Sequence, residues 1–455
     1  MKKSLSIFTL LFYIFIPKAQ TINMDFPRFA GKTYDFVIFN GGKEIKLIQD
    51  TIPENGKFEL RIPSEYSPYT GMSRWLITNS SEGGGLDLAI PGFGYAVSCK
   101  EEQPTTDNLL FKGYNPLSKI NDINNRQREL VGKFNAMNAV MKFYNTQDKL
   151  YPVFEKELKV QQNAFEDFKK ELAEDKDYFS RLFPIVNIIN GIPVSLTDDT
   201  KMIYRDTNDY ITNHVDINLL YTSGFWTAVL DVWAEINTSS AENDNSFLYN
   251  FKKLSNRIPD HEKYKSFIST ITSYLSKYGK DKEIELITPI VLQSSKIHDY
   301  SGNLSIYKNS VLGKTAPDLI ITKHIGNIKD HNHQTTNLSA KDFADTAYTL
   351  IIFYESGCGP CEELLQQLPN AYKKLQEKGV KIIAISADKS QQIFESKSSD
   401  FPWKDTFCDF EGRTGVNFKN YGVQGTPTIF LIDKNGVVVS KYSVLKKVLE
   451  DLKLN

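Results

Sequence analysis

The first quarter of the chain alternates between apolar and polar residues over short stretches. Residues 34–39, 57–62, 74–78 and 86–90 are rich in β-branched, aromatic and leucine side chains. Strands that bury one face have this period of two residues. The pattern predicts a β-sandwich-like N-terminal domain over residues 21–113.

A different period follows that domain, because apolar residues there recur every three or four positions. Phe134, Met137 and Met141 illustrate the spacing, which is typical of amphipathic helices. We therefore predict a central α-helical domain over residues 114–297, whose aromatic positions pack in its core. The polar segment 298–311 is predicted to be a linker.

The last third of the chain, residues 312–455, contains continuous apolar runs. Residues 348–353 and 380–386 are predicted to be strands buried on both faces, as in a parallel sheet. Residues 360–378 carry leucines on one helical face and end at a glycine. With a predicted hairpin over residues 428–439, these elements indicate an α/β domain and make the protein multidomain.

The first twenty residues have the composition of a signal peptide. Lys2 and Lys3 precede an apolar run over residues 5–16, which is shorter than the roughly 20 residues needed to span a membrane. We predict that residues 1–20 direct export to an oxidising compartment. The alternative is an uncleaved anchor, because Lys18 fits poorly in a cleavage site.

Composition limits the classes of function. Of 455 residues, 54 are Lys or Arg and 55 are Asp or Glu, a formal net charge of −1. This balance excludes a broad positive field that would bind nucleic acid or an anionic membrane. Four cysteines are too few for a miniprotein held together by disulfides.

The candidate chemistry lies where the first apolar strand of the last domain runs into a helix. The sequence there reads Cys358-Gly359-Pro360-Cys361. Unpaired N–H groups and the dipole at a helix N-terminus stabilise an anion, so we expect Cys358 to act as a thiolate nucleophile. Cys361 lies one turn further on the same side, close enough to form a disulfide with Cys358. Pro360 suits the first helical turn.

A second motif, Thr426-Pro427, precedes the strand of the predicted hairpin. We predict a cis peptide bond here, which would turn the Thr426 backbone outward so that a substrate segment could pair with it. A trans proline at the start of a strand is the alternative. Proline also keeps a metal-binding side chain out of this position.

The other two cysteines, Cys99 and Cys408, are expected to be buried and unpaired. The alternatives are a disulfide between them and a resolving or relay role for Cys408.

A zinc site at the Cys-x-x-Cys motif would need a second close pair of Cys or His ligands, and the sequence does not supply that spacing. We expect neither a metal nor another cofactor.

Residues 312–455 resemble the TlpA/ResA-like family of extracytoplasmic thiol–disulfide oxidoreductases, which have the thioredoxin fold. Beyond the motifs above, the resemblance depends on residues 316–319, 382–388 and 421–436. The long spacing between the cysteines and Pro427 implies an inserted strand and helix. The family implies that Cys358 attacks protein disulfides and that Cys361 resolves the intermediate.

The resemblance also implies a location and a source of electrons. A reductase in the periplasm or cell envelope needs a membrane electron donor, which would resemble DsbD or CcdA. The Gly-Pro pair between the cysteines is that of thioredoxin and favours reduction. The reduction potential decides whether the same residues act as an oxidase or isomerase instead.

Three positions depart from the family pattern. Gly357 stands where thioredoxins have Trp, Ile352 where thioredoxin has a buried Asp, and Leu364 where ResA-like proteins have Glu. The proton acceptor for Cys361 is therefore not identified by the sequence.

Because two thirds of the chain carries no motif, the alternative function is an envelope binding or scaffold protein with a thioredoxin-like docking or redox-sensing domain.

Overall fold

The computed structural model describes residues 20–79, 83–239, 244–308, 312–324, 333–343, 345–423 and 425–454. The chain divides into two compact units, one from Met1–Tyr210 and His214–Val229, the other from Ile211–Asn213 and Leu230–Asn455. The predicted signal peptide lies outside the described residues, except for Gln20. Within the described ranges, no helix is both long and apolar enough to cross a membrane.

The first unit begins with eight strands: β1 (Thr21–Asp25), β2 (Thr33–Asn40), β3 (Lys43–Thr51), β4 (Lys57–Arg61), β5 (Gly71–Thr78), β6 (Gly85–Ile90), β7 (Tyr95–Ser98) and β8 (Leu110–Lys112). They form two sheets of order β4-β1-β7-β8 and β3-β2-β5-β6. Phe36, Leu60 and Trp75 are fully buried in one core that both sheets share. This arrangement agrees with the predicted sandwich: three of the four predicted strands lie within observed strands, and the fourth, 57–62, extends one residue beyond β4.

Gln20 packs within this sandwich, although the sequence analysis assigned it to the signal peptide. Its buried side-chain amide donates to the Tyr69 carbonyl (2.6 Å) and its Oε1 accepts from the Tyr69 N–H (2.7 Å). Buried backbone groups need such partners. The sandwich therefore includes Gln20, and composition alone could not reveal this because the contact joins positions far apart in sequence.

Helices fill the middle of the chain: α1 (Pro116–Met141), α2 (Tyr151–Glu174), α3 (Tyr178–Ile189), α4 (Thr200–Asp209), α5 (Ile217–Tyr221), α6 (Trp226–Thr238), α7 (Asp244–Asn256), α8 (His261–Lys277) and α9 (Asp281–Gln293). Several begin after an Asn or Asp whose side chain accepts first-turn N–H groups, as Asp260 does for α8. Phe134, Phe165 and Phe168 are buried in one cluster of α1, α2 and α3. The predicted helical region and its aromatic core are thus confirmed, with Met137 and Met141 half-buried.

The C-terminal part has the α/β order expected of a thioredoxin fold: β9 (Leu319–His324), β10 (His333–Leu338), β11 (Tyr348–Tyr354), α10 (Gly359–Glu377), β12 (Val380–Ser386), α11 (Gln391–Ser398), β13 (Thr406–Cys408), α12 (Val416–Asn420), β14 (Thr428–Asp433), β15 (Val438–Tyr442) and α13 (Leu445–Asp451). Five of these strands form a sheet of order β13-β12-β11-β14-β15. The strand pairs β11–β12 and β12–β13 are parallel, whereas β14 runs antiparallel to both of its neighbours, β11 and β15. The inserted helix and strand that the family resemblance implies correspond to α11 and β13.

Both faces of this sheet are covered, which explains its apolar strands. Leu350 and Ile352 face one core together with Leu368 of α10. Ile351 and Phe353 face the opposite core, which contains residues of β9 and α12. The alternation places the carboxyl end of β11 between two packed layers, directly before the dithiol.

The segment predicted to be a linker packs against its neighbours. It contains a 3-10 helix, Gly302–Tyr307, and Tyr307 is fully buried with its hydroxyl 2.7 Å from Thr272 Oγ1 of α8. Gly422, after α12, lies so close that a Cβ there would be 2.8 Å from Ile306 Cα. The contacts are made by the few apolar residues of an otherwise polar segment. The boundary between the two compact units lies elsewhere, after Val229, so this segment does not separate them.

Loss of the Gln20 side chain should destabilise the sandwich. Gln20→Ala leaves the N–H and carbonyl of Tyr69 without these partners, so we expect the free energy of unfolding to fall by about 1–3 kcal/mol. Urea unfolding of the protein beginning at residue 20 measures this. Gln49→Ala, on the exposed part of β3, is the control, and equal stabilities of the two variants would contradict the prediction.

Candidate active site

The two cysteines of the motif lie at the start of α10 but differ in exposure. Cys358 is the N-cap residue of α10 and is half-buried, whereas Cys361 is fully buried in the first turn. The N–H of Glu362 donates to the Cys358 carbonyl (2.9 Å), which closes that turn. Gly357 has φ +79°, a backbone conformation that favours glycine over the Trp of thioredoxins. Cys358 is therefore the sulfur that a second molecule can reach.

The structure brings the second motif directly against the first. The Thr426–Pro427 peptide bond is cis, as predicted. The Cys358 thiol lies 3.6 Å from the Thr426 carbonyl, to which it donates, and 3.9 Å from the Thr426 hydroxyl. Pro360 and Pro427 line one cavity beside the dithiol. All six residues singled out from the sequence, including Gly359, thus belong to one site.

Burial controls the protonation of the inner cysteine. The pKa of the Cys361 thiol is raised to about 11, mainly by burial and in smaller part by the neighbouring Cys358, although hydrogen bonds with Thr426 and the Glu355 backbone oppose the rise. Ile352 and Leu364, at the two positions where the family has carboxylates, are buried at 0% and 4% exposure. Cys361 is consequently a neutral thiol at neutral pH.

Two glutamates near the dithiol form ion pairs. Glu355 pairs with Arg413, whose Nε and Nη2 lie 2.9 and 2.5 Å from Oε2. Glu362 pairs with Lys397 and accepts the Gly357 N–H at 2.9 Å, and both contacts lower its pKa. Both carboxylates are therefore occupied by ion-pair partners at the edge of the site.

A buried aspartate holds the loop before Cys358, and the sequence analysis did not identify this role. Asp388 is 5% exposed and accepts the Ser356 N–H (3.1 Å), the Ser356 hydroxyl (2.7 Å) and the Ser386 hydroxyl (2.7 Å). The available signal was its position just after β12, since parallel neighbouring strands end at one edge of the sheet. Asp388 therefore fixes the active-site loop to the next strand.

The remaining cysteines are both buried free thiols, as expected. Cys99 lies in the first compact unit, and its thiol donates to Asn108 Oδ1 (3.3 Å). Cys408 lies in the second, where its thiol donates to the Asp388 carbonyl (3.1 Å). Burial raises the pKa of Cys408 to about 12. Within the described segments, no cluster of three or more Cys, His, Asp or Glu side chains could hold a metal ion.

The C-terminal part of the chain is similar to several known proteins. Residues 312–441 match the AhpC/TSA family. Nucleoredoxin of Danio rerio is 32% identical over 118 residues, which are 26% of this chain and 28% of that protein. The chain thus spans little more than a quarter of that nucleoredoxin. A putative thiol:disulfide interchange protein DsbE from Chlorobium tepidum has 25% identity and a TM-score of 0.25, covering 31% of this chain and 95% of its own.

The relative that decides the family is ResA. The thiol-disulfide oxidoreductase ResA of Bacillus cereus is 31% identical over 142 residues, which cover 31% of this chain and 75% of ResA. The residues matched to AhpC/TSA include Cys358, Cys361 and Pro427, which the structure places together at the start of α10. On this basis the chain belongs to the ResA family of thiol-disulfide oxidoreductases.

Proposed function

We propose that the protein reduces disulfide bonds of exported proteins, with Cys358 as the attacking and Cys361 as the resolving cysteine. The contrast in exposure supports these roles, since the half-buried Cys358 can meet a client disulfide and the fully buried Cys361 contacts only its own site. A client backbone that pairs with the Thr426 carbonyl would lie beside the reacting atom, because this carbonyl is 3.6 Å from the Cys358 sulfur.

The reaction has two exchange steps. The Cys358 thiolate attacks one sulfur of the client disulfide, that bond breaks, and the released client thiolate takes up a proton. Cys361 then loses its proton and attacks the Cys358 sulfur, which releases the second client thiol. Two electrons pass from the dithiol to the client, and Cys358 and Cys361 end as a disulfide.

The setting of this reaction is the periplasm or cell envelope, reached through the N-terminal signal peptide. Relationship to ResA and the thioredoxin-like Gly-Pro pair support the reductive direction. Reduction outside the cytoplasm needs a supply of electrons, for which we propose a membrane donor of the DsbD or CcdA type. No metal or organic cofactor takes part in the exchange itself.

Single cysteine variants should separate the two roles. Cys361→Ser should accumulate a mixed disulfide between Cys358 and the client, because the resolving sulfur is gone, whereas Cys358→Ser should form none and lose turnover entirely. Non-reducing gels and mass spectrometry of a reduced variant mixed with insulin detect the adduct. If Cys358→Ser kept full turnover, the assignment would be wrong; if it lost turnover but retained partners in pull-downs, a binding role would remain for the other domains.

The rate of the second step should rise with pH. Because burial raises the pKa of Cys361 to about 11, its thiolate fraction grows about tenfold per pH unit between about pH 7 and pH 9. Dithiodipyridine reports both steps, since Cys358 releases one thiopyridone and Cys361 the next. Cys361→Ser, which should release one equivalent, is the control. A second step that is independent of pH would instead reveal a base beside Cys361.

The direction of electron flow can be measured directly. We expect a reduction potential near that of thioredoxin, about −270 mV, since the protein has the same Gly-Pro pair between its cysteines. Alkylation after equilibration in a series of redox buffers gives this value. A potential near that of DsbA, about −120 mV, would make disulfide donation the function, and the absence of a reversible titration would exclude the enzyme.

A further inference from the structure

A cleft of about 590 Å³ opens beside the dithiol, between distant parts of the chain. Pro360, Arg413, Thr426 and Pro427 line one wall. The other wall, called the α8 wall below, is the end of α8 and the turn after it: Ser273, Ser276, Lys277, Tyr278 and Gly279. Building on the proposed function, we infer that this cleft binds an extended client segment that carries an acidic residue next to its disulfide.

The α8 wall lies directly along the Thr426–Pro427 loop. A Cβ on Gly425 would be 4.0 Å from the Ser276 carbonyl, an ordinary van der Waals distance. A Cβ on Gly279 would be 3.3 Å from the hydroxyl of Ser443, which also lines the cleft. A polypeptide that reaches Cys358 past Thr426 therefore contacts the helical residues as well.

Several contacts fix the α8 wall in place. Lys280, which follows its last residue, donates to the Thr238 carbonyl at 2.7 Å. Asp281, at the start of α9, pairs with Lys441 of β15 at 3.4 Å, and both side chains are largely buried. A wall that is already ordered loses little entropy when a client binds.

Lys277 and Tyr278 give the α8 wall its binding chemistry. Both are exposed, Tyr278 at 54%, and the Lys277 ammonium lies 5.1 Å from the centroid of the Tyr278 ring. An exposed tyrosine beside a cation is the kind of anchor that protein interfaces favour. Tyr278 would contact the apolar side of a client segment, and Lys277 would pair with an acidic side chain next to the client disulfide.

The charges in the cleft favour an acidic client residue at Lys277. The other two cations that line the cleft, Arg413 and Lys441, already have carboxylate partners at 2.5 and 3.4 Å. Lys277 has no ion-pair partner in the described part of the chain. Asp231, which does not line the cleft, is near enough that the Lys277 charge opposes the rise in the Asp231 pKa caused by burial. An acidic residue in the cleft would gain an unpaired cation, whereas a basic residue would be repelled.

Two synthetic disulfide peptides that differ only in charge test the inference. One carries Glu on both sides of its disulfide and the other carries Lys. We expect the reduced full-length protein to reduce the acidic peptide about fivefold faster at low salt, with a ratio that falls toward one at about 0.5 M salt. Lys277→Glu should bring the low-salt ratio to one or below, and Lys277→Gln should give an intermediate value.

Lys373→Glu is the matched control because Lys373 is exposed on α10, about 18 Å along the helix from Cys361, and it should leave the ratio unchanged. The rate with uncharged dithiodipyridine normalises each variant for dithiol reactivity. A wild-type ratio of one, or a ratio that Lys277→Glu does not change, would overturn the inference while the proposed function stands. If neither peptide is reduced, the proposed function itself fails.

Discussion

The parallel pairing of β11 with β12 is the constraint on which the active site depends. Tyr354 is opposite Ser386 at the carboxyl end of this pair, so the loops that leave the two strands emerge side by side. That register gives Asp388 the amide and hydroxyl of Ser356 as partners. A slip of one residue would exchange the faces of Ile352 and Phe353 and would separate the loop from its anchor.

Much of this arrangement could be predicted from the sequence because its signals are local. A strand buried on both faces needs apolar residues at consecutive positions, and residues 350–353 of β11 meet this requirement. A dithiol at the junction of such a strand with a helix, together with a Thr-Pro before another strand, specifies the site. The cis bond at Pro427 was predicted from those same short segments, and the inserted α11 and β13 were implied by the family resemblance together with the long spacing.

The remaining features could not be predicted because they depend on contacts between distant positions. Tyr307 is buried in a segment whose composition is polar, and Gln20 bonds to Tyr69 across the sandwich. Nothing near Lys277 in the sequence indicates that the end of α8 borders the dithiol. The spacing of apolar residues along the sequence identifies which face of a helix or strand is apolar. It does not identify which other helix or strand covers that face.

Cys408 shows how a protein that exchanges disulfides can keep a spare thiol out of the exchange. It ends β13, which pairs with β12, and its thiol donates to the Asp388 carbonyl in the loop that follows β12. With a pKa of about 12, only about one Cys408 in 10⁵ is ionised at neutral pH, and thiolates are the attacking species. Burial thus keeps Cys408 almost entirely in the unreactive thiol form, although it lies in the same compact unit as the dithiol.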